Sequence, residues 1–132
     1  MANGTIAFDT LQTSGQIQGT AKSVDTDFIV SGSPKHWVNI DGDTPSARNS
    51  VNNASLTDNG SGNYTITRTS NFSAVNYCCQ GGGNSSASGD GRITALDEAT
   101  LSTSANEIFN RSDANGVQDD AHVNISFLGD LS

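Results

Sequence analysis

Cations are scarce in this chain. Six of its 132 residues are Lys or Arg, against 14 Asp and Glu, for a net charge of −8. They are not clustered, so nothing tracks a phosphate backbone and nucleic-acid binding is disfavoured. Long apolar runs are missing too. None approaches the roughly 20 residues that a membrane helix needs, so membrane insertion is not expected. The opening "MANGTIAFDT" lacks the basic head and apolar centre of a secretory signal. Without such a signal, the several Asn-x-Ser/Thr stretches, such as Asn63-Tyr64-Thr65 and Asn124-Ile125-Ser126, read as chance matches. Two His and two adjacent Cys do not have the spacing that brings four ligands to one zinc ion.

Ser, Thr, Asn and Gly fill the space left by a hydrophobic content of 33% and a charged content of 15%. These residues are poor in helix interiors and suit turns and the exposed faces of short strands. The length suits one domain with an appended arm. Residues 1–34 read as that arm, with "VDTDFIV" (24–30) as its one candidate strand before the break at "SGSP". From Lys35 the pattern alternates. "HWVNI" puts His36, Val38 and Ile40 on one face and Trp37 and Asn39 on the other. "VNNASLT" and "NYTITRT" read as strands around the hairpin turn "DNGSG". "AVNYCC" places Val75, Tyr77 and Cys79 together, and "GGGNSSASGDG" reads as a long loop. "RITALDEATL" reads as strand, then short helical turn. "NEIF" is a short strand, "NRSDANGVQDD" a loop, and "AHVNISFLGD" the clearest strand. Short strands between turn signals predict an all-β fold, an antiparallel β-sandwich of jelly-roll-like form over residues 35–132.

Cys78 and Cys79 are the only cysteines. A bond between neighbours strains both the peptide and the sulfur dihedral. Alternation buries Cys79 and turns Cys78 toward solvent or a partner chain. Two readings stay open: both are unpaired thiols acting as small hydrophobes, or Cys78 joins another chain in an oxidising setting. "DANGVQDD" gathers Asp113, Asn115, Asp119 and Asp120 and faintly echoes a calcium loop, but without its full pattern or final Glu. A solvated turn is favoured, and no metal or other cofactor is expected. No catalytic residues emerge. Asp97 and Glu98 diverge on a strand, and neither His36 nor His122 sits in a nucleophile motif. His36 reads as an interior or interface histidine. Trp37 is either a core or interface anchor, the favoured reading, or a ligand platform.

The stretch "KHWVNIDGD…ARNSVNNASLTDNGSGNYTITRTSNFSAVNY", with "NGTIAFDTLQTSG" before it and "VNISFLGDLS" at the end, resembles small tail-fibre and virion-surface proteins of phages infecting aquatic bacteria. The likeness covers residues 3–77 and 121–132, and "TDNGSGNYT" (57–65) is its most specific part. It implies a structural protein and not an enzyme: a β-sandwich assembled as a homotrimer, located on the virion tail. It further implies attachment to the baseplate or another virion protein, through the arm or the cysteines, and contact with a host surface receptor such as a polysaccharide. A capsid decoration or head-fibre protein is the alternative. A polysaccharide depolymerase and a secreted sugar-binding module rank lower. Loops 80–91 and 110–120 are expected to form the contacting tip, with Asn84, Ser85, Ser86, Asp90, Asp113, Asn115 and Asp119 as receptor-contact candidates. Deletion of residues 81–89 is expected to leave folding intact.

Overall fold

The computed structural model describes residues 10–13, 22–25, 32–84, 91–112 and 116–132. The chain divides into two units, Met1–Ser33 and Pro34–Ser132. In the first, β1 (Thr10–Thr13) and β2 (Lys22–Asp25) pair antiparallel, with Leu11 opposite Val24. Most of "VDTDFIV" lies outside the described residues.

The second unit is an antiparallel β-sandwich. Its strands are β3 (His36–Asp41), β4 (Ser46–Val51), β5 (Asn53–Gly60), β6 (Asn63–Arg68), β7 (Cys78–Asn84), β8 (Arg92–Leu96), β9 (Ala105–Ser112) and β10 (His122–Leu128). One sheet runs β4-β3-β10-β7 and the other β5-β6-β9-β8. Each central strand alternates strictly between buried positions and half-buried or exposed ones. β3 buries His36, Val38 and Ile40, β6 buries Tyr64, Ile66 and Arg68, and β10 buries Val123, Ile125 and Phe127. These faces meet, with Ile108 and Phe72, in one apolar core that Leu56, Tyr77, Cys79 and Leu96 flank. Removing such faces from water is the main favourable term.

The chain crosses between sheets at Asn52. "VNNASLT" is therefore two strands and not one: β4 ends at Val51 in the first sheet and β5 begins at Asn53 in the second. Asn52 takes φ 58°, a left-handed conformation that Asn tolerates better than most residues. Its side chain accepts from the Ser70 N–H (2.7 Å) and donates to the Ser70 carbonyl (2.9 Å), which holds the corner. The β5–β6 turn carries the expected glycines, Gly60 and Gly62, both at positive φ. "RITAL" is β8, and a 3₁₀ turn at Glu98–Thr100 follows, capped by Asp97 through the Ala99 N–H (3.0 Å). "NEIF" lies inside the longer β9.

The triple glycine corrects the loop expectation. Gly81, Gly82 and Gly83 lie in β7, an edge strand paired along its length with β10. No side chains mark the alternation, so it cannot be read from sequence. The physical reason for glycine is close approach between the layers. A Cβ on Gly81 would stand 2.7 Å from both the Cβ and the carbonyl oxygen of Thr94, and one on Gly83 2.6 Å from Asn110 Oδ1. Gly82 points the other way, and a Cβ there meets nothing within 4 Å. Val75 is likewise corrected: it precedes the strand and is exposed, while Tyr77 and Cys79 reach the core margin. The proposed tip does not hold as a set of loops either. Residues 80–84 are strand, Asn110 and Ser112 are buried in β9, and Asp120 is buried.

Gly81→Ala should therefore lower unfolding stability by about 1–3 kcal/mol through overpacking. Gly82→Ala should be neutral or slightly stabilising, since Gly in a strand is weaker than Ala by about 0.5–1 kcal/mol. Deleting residues 81–89 should abolish cooperative urea unfolding. Equal midpoints for the two alanine variants would contradict the inward packing of Gly81.

Candidate functional site

The outer face of the first sheet holds the most developed surface site. The residues that alternate with the core positions point outward: Trp37 and Asn39 from β3, Asn124 and Ser126 from β10, and Gln80 and Gly82 from β7. Register puts them in two rows. Trp37 lies opposite Ser126, which lies opposite Gln80, and Asn39 lies opposite Asn124, which lies opposite Gly82. Together with the backbone of Val38, Gly81 and Ile125 they line a groove of about 420 Å³. Trp37 is half-buried on this face and lies outside the buried core, which corrects the core half of the favoured core-or-interface reading. The groove floor is made of small polar residues on β10, and β3 and β7 form its sides.

The lining side chains carry no charge. Asn39 donates its amide to Asn124 Oδ1, and Ser126 Oγ donates to the Gln80 carbonyl at 3.4 Å. The Asn39–Asn124 bond leaves one amide carbonyl and one amide NH₂ side by side for a further partner. The Gln80 side-chain amide has no partner among the described residues. Beyond the amide row, Arg48 of β4 donates to Asp41 (2.5 Å), to the Ala121 carbonyl and to the His122 ring (2.8 Å to Nδ1). The Arg48 guanidinium holds the Asp41 carboxyl below its usual range.

Other polar clusters are structural. Asp119 accepts from the Gly62 N–H (2.7 Å), the Tyr64 hydroxyl (2.8 Å) and the Ser61 hydroxyl (3.0 Å). Desolvation raises its carboxyl, but these donors outweigh it and the net shift is downward. Tyr64 is pushed up, first by burial and then by Asp119. Asp120 is buried and accepts from Arg92 Nε (2.7 Å) and Asn110 Nδ2 (2.6 Å). The described carboxylates of the "DANGVQDD" stretch thus tie a loop to the β5–β6 turn and to β8. They do not converge on a cation position, and the described residues contain no group of three metal-ligating side chains. No sequence signal marked Asp119 as a turn anchor, because its partners are 55–58 residues away.

Arg68, 5% exposed, has its guanidinium carbon 4.5 Å from the Phe72 ring centroid, 4.8 Å from that of Phe127 and 5.1 Å from that of Tyr77. It donates to the Ser102 and Thr103 carbonyls and to Asn106 Oδ1. Ring faces and neutral oxygens, with no carboxylate, hold this cation. Burial draws its pKa down, and the Tyr77 oxygen opposes this. His36 stacks on Phe127 with centroids 5.1 Å apart, and its Nε2 lies 3.4 Å from Asn53 Oδ1. It is an interior histidine, fully buried. Burial, and secondarily the Arg68 charge, lower its pKa from 6.5 to about 4.

The remaining sequence candidates are dispersed. Cys78 is an exposed free thiol and Cys79 a half-buried one. Burial and then the neighbouring Cys78 push the Cys79 thiol up, which disfavours its thiolate at neutral pH. Asn84 is exposed at the end of β7, opposite His122. Ser85, Ser86, Asp90, Asp113 and Asn115 lie outside the described residues. No described helix is long and apolar enough to cross a membrane.

No family model matches the chain, and no curated protein matches it. Among solved structures it is similar to the phiAB6 tailspike, crystallised in complex with three-repeated oligosaccharides of Acinetobacter baumannii surface polysaccharide. The TM-score is 0.45 and the identity 13%. The match covers 92% of this chain and 23% of the tailspike chain. This is a distant likeness to a phage tail protein.

The buried histidine generates a pH prediction. Its folded pKa of about 4 lies below its ordinary 6.5. The unfolded chain therefore takes up a proton that the native state refuses, and stability present above pH 6.5 is lost as pH falls toward 4. Between pH 7 and 5 the loss should be roughly 2 kcal/mol. Urea unfolding across that range should show the slope in the wild type and lose it in His36→Gln. The same slope in both would assign it to other groups.

Proposed function

We propose that the chain is a virion-surface protein of a phage, carried on the tail, that attaches the particle to its host. The observation that carries this reading is the outer face of the first sheet. It presents the sole tryptophan in a groove among amide side chains, a surface suited to recognition. The resemblance of residues 3–77 and 121–132 to phage tail-fibre and virion-surface proteins supports the same role. The described carboxylates at Asp41, Asp97, Asp119 and Asp120 are engaged by intramolecular donors, which favours binding over turnover.

In this proposal residues 1–34 and Cys78 serve attachment, and the sandwich, assembled as a homotrimer, contacts the host. The exposed Cys78, on an edge strand, is the better placed of the two thiols for a bond to a baseplate or other virion protein. Many copies per particle would multiply weak single contacts.

Immunogold labelling of intact particles should place the chain on the tail. A non-reducing gel of the same particles should show a band that collapses on reduction and is absent when Cys78→Ser replaces the wild type. Gold on the heads would replace the tail reading with that of a capsid decoration protein. Tail labelling without a reducible band would leave attachment to the N-terminal unit.

A further inference from the structure

We propose that the groove on the outer face of the first sheet binds an uncharged pyranose of a surface glycan, with Trp37 as the stacking platform. This deepens the attachment reading and rests on it. The groove's sides, β3 and β7, are separated by β10, so they stand about 10 Å apart at two strand spacings. That suits the width of a single sugar ring. Trp37 offers an apolar face with a polar ring edge, which matches the C–H face of a pyranose. The paired amides of Asn39 and Asn124 present an acceptor beside a donor. Vicinal hydroxyls, each able to donate and accept, complement such a pair. The Gln80 amide on the opposite side supplies a further donor and acceptor.

Charge selects the sugar class. No cation lines the groove. Arg48 is already engaged by Asp41, the Ala121 carbonyl and His122. Against a net charge of −8, the groove lining offers a uronic or sialic acid no compensating cation. A hexose or N-acetylhexosamine needs none.

Gly82 keeps the groove open. It lies opposite Asn124, and its missing side chain leaves the β7 side low. A Cβ there meets nothing within 4 Å, and the position does not take the left-handed conformation that would demand glycine. Gly82→Ile should therefore fill the groove without disturbing the sandwich, and a β-branched residue suits a strand.

Trp37 is the only tryptophan, so fluorescence excited selectively at tryptophan, away from Tyr64 and Tyr77, reports on the groove. The purified chain would be titrated with a panel of uncharged hexose and N-acetylhexosamine oligosaccharides, and with uronic- and sialic-acid oligosaccharides for comparison. At least one uncharged probe should give a saturable blue shift. Gly82→Ile should weaken that response at least tenfold while its thermal midpoint stays level or rises. Silence from every uncharged probe, a response to acidic probes alone, or full binding by Gly82→Ile would overturn the proposal. So would a Trp37 signal that depends on protein concentration without sugar, which would mean a second copy covers the groove. A parallel assay, competition by the purified chain for phage adsorption to host cells, separates the two readings. Competition retained by Gly82→Ile sinks the groove and spares attachment. Sugar binding without competition does the reverse.

Discussion

The pairing of β3 with β10 is the constraint on which the rest of the sandwich depends. These two strands form the middle of the first sheet, and each serves both of its faces. Their inward residues, His36, Val38, Ile40, Val123, Ile125 and Phe127, make most of that sheet's share of the core. Their outward residues, Trp37, Asn39, Asn124 and Ser126, make most of the groove. A slip of one residue in either strand would turn core residues to solvent and bury amides. Core and groove are thus two readings of one register.

The interior is unusually polar for so small a core. Arg68 and Arg92, two of six cations, have their side chains almost wholly out of solvent. The two are held differently. Arg92 has Asp120 as a counter-ion, and Asn110 bonds to the same carboxylate. Arg68 has three aromatic rings, two carbonyls and Asn106, which in turn donates to the Tyr77 hydroxyl at 2.6 Å. Satisfaction is incomplete: Arg68 Nε, Asn110 Oδ1, His36 Nδ1 and Thr94 Oγ1 are buried without a hydrogen-bond partner among the described residues, and each such atom costs stability. With aromatic residues at 6% of the chain, gathering Phe72, Tyr77 and Phe127 around one guanidinium concentrates a scarce resource at the end of the sandwich where His36 also sits.

The alternating strands were legible because side chains mark them. His36, Val38 and Ile40, and Val123, Ile125 and Phe127, could be assigned to one face from spacing alone, as could the opposed directions of Cys78 and Cys79. β7 was not legible, because a run of glycines carries no period-two signal. Its meaning comes from Thr94 and Asn110 in the opposite sheet, contacts that sequence spacing does not encode. The join between β4 and β5 was hidden for a related reason. An Asn-rich strand pattern runs through Asn52, and only its left-handed backbone marks the corner. Trp37 could be placed on the face opposite His36. Its role depended on whether that face met a second layer, and the core lies wholly on the other side. The acidic loop read as solvated, yet Asp119 and Asp120 both serve as anchors for distant segments.

The β3–β10 pairing also sets how the domain comes into being. Asn39 and Asn124, bonded to each other, are 85 residues apart in the chain. The first sheet cannot assemble around its central pair until nearly the whole unit has left the ribosome. Closing so long a loop before any compensating contact forms makes assembly slow compared with a local hairpin. A nascent chain that stops short of β10 holds β3 with an unpaired edge and an uncovered apolar face, which is a template for aggregation. Synthesis of this unit is therefore most exposed to error until β10 has emerged. Any cellular safeguard, such as chaperone holding, would have to act before that strand is complete.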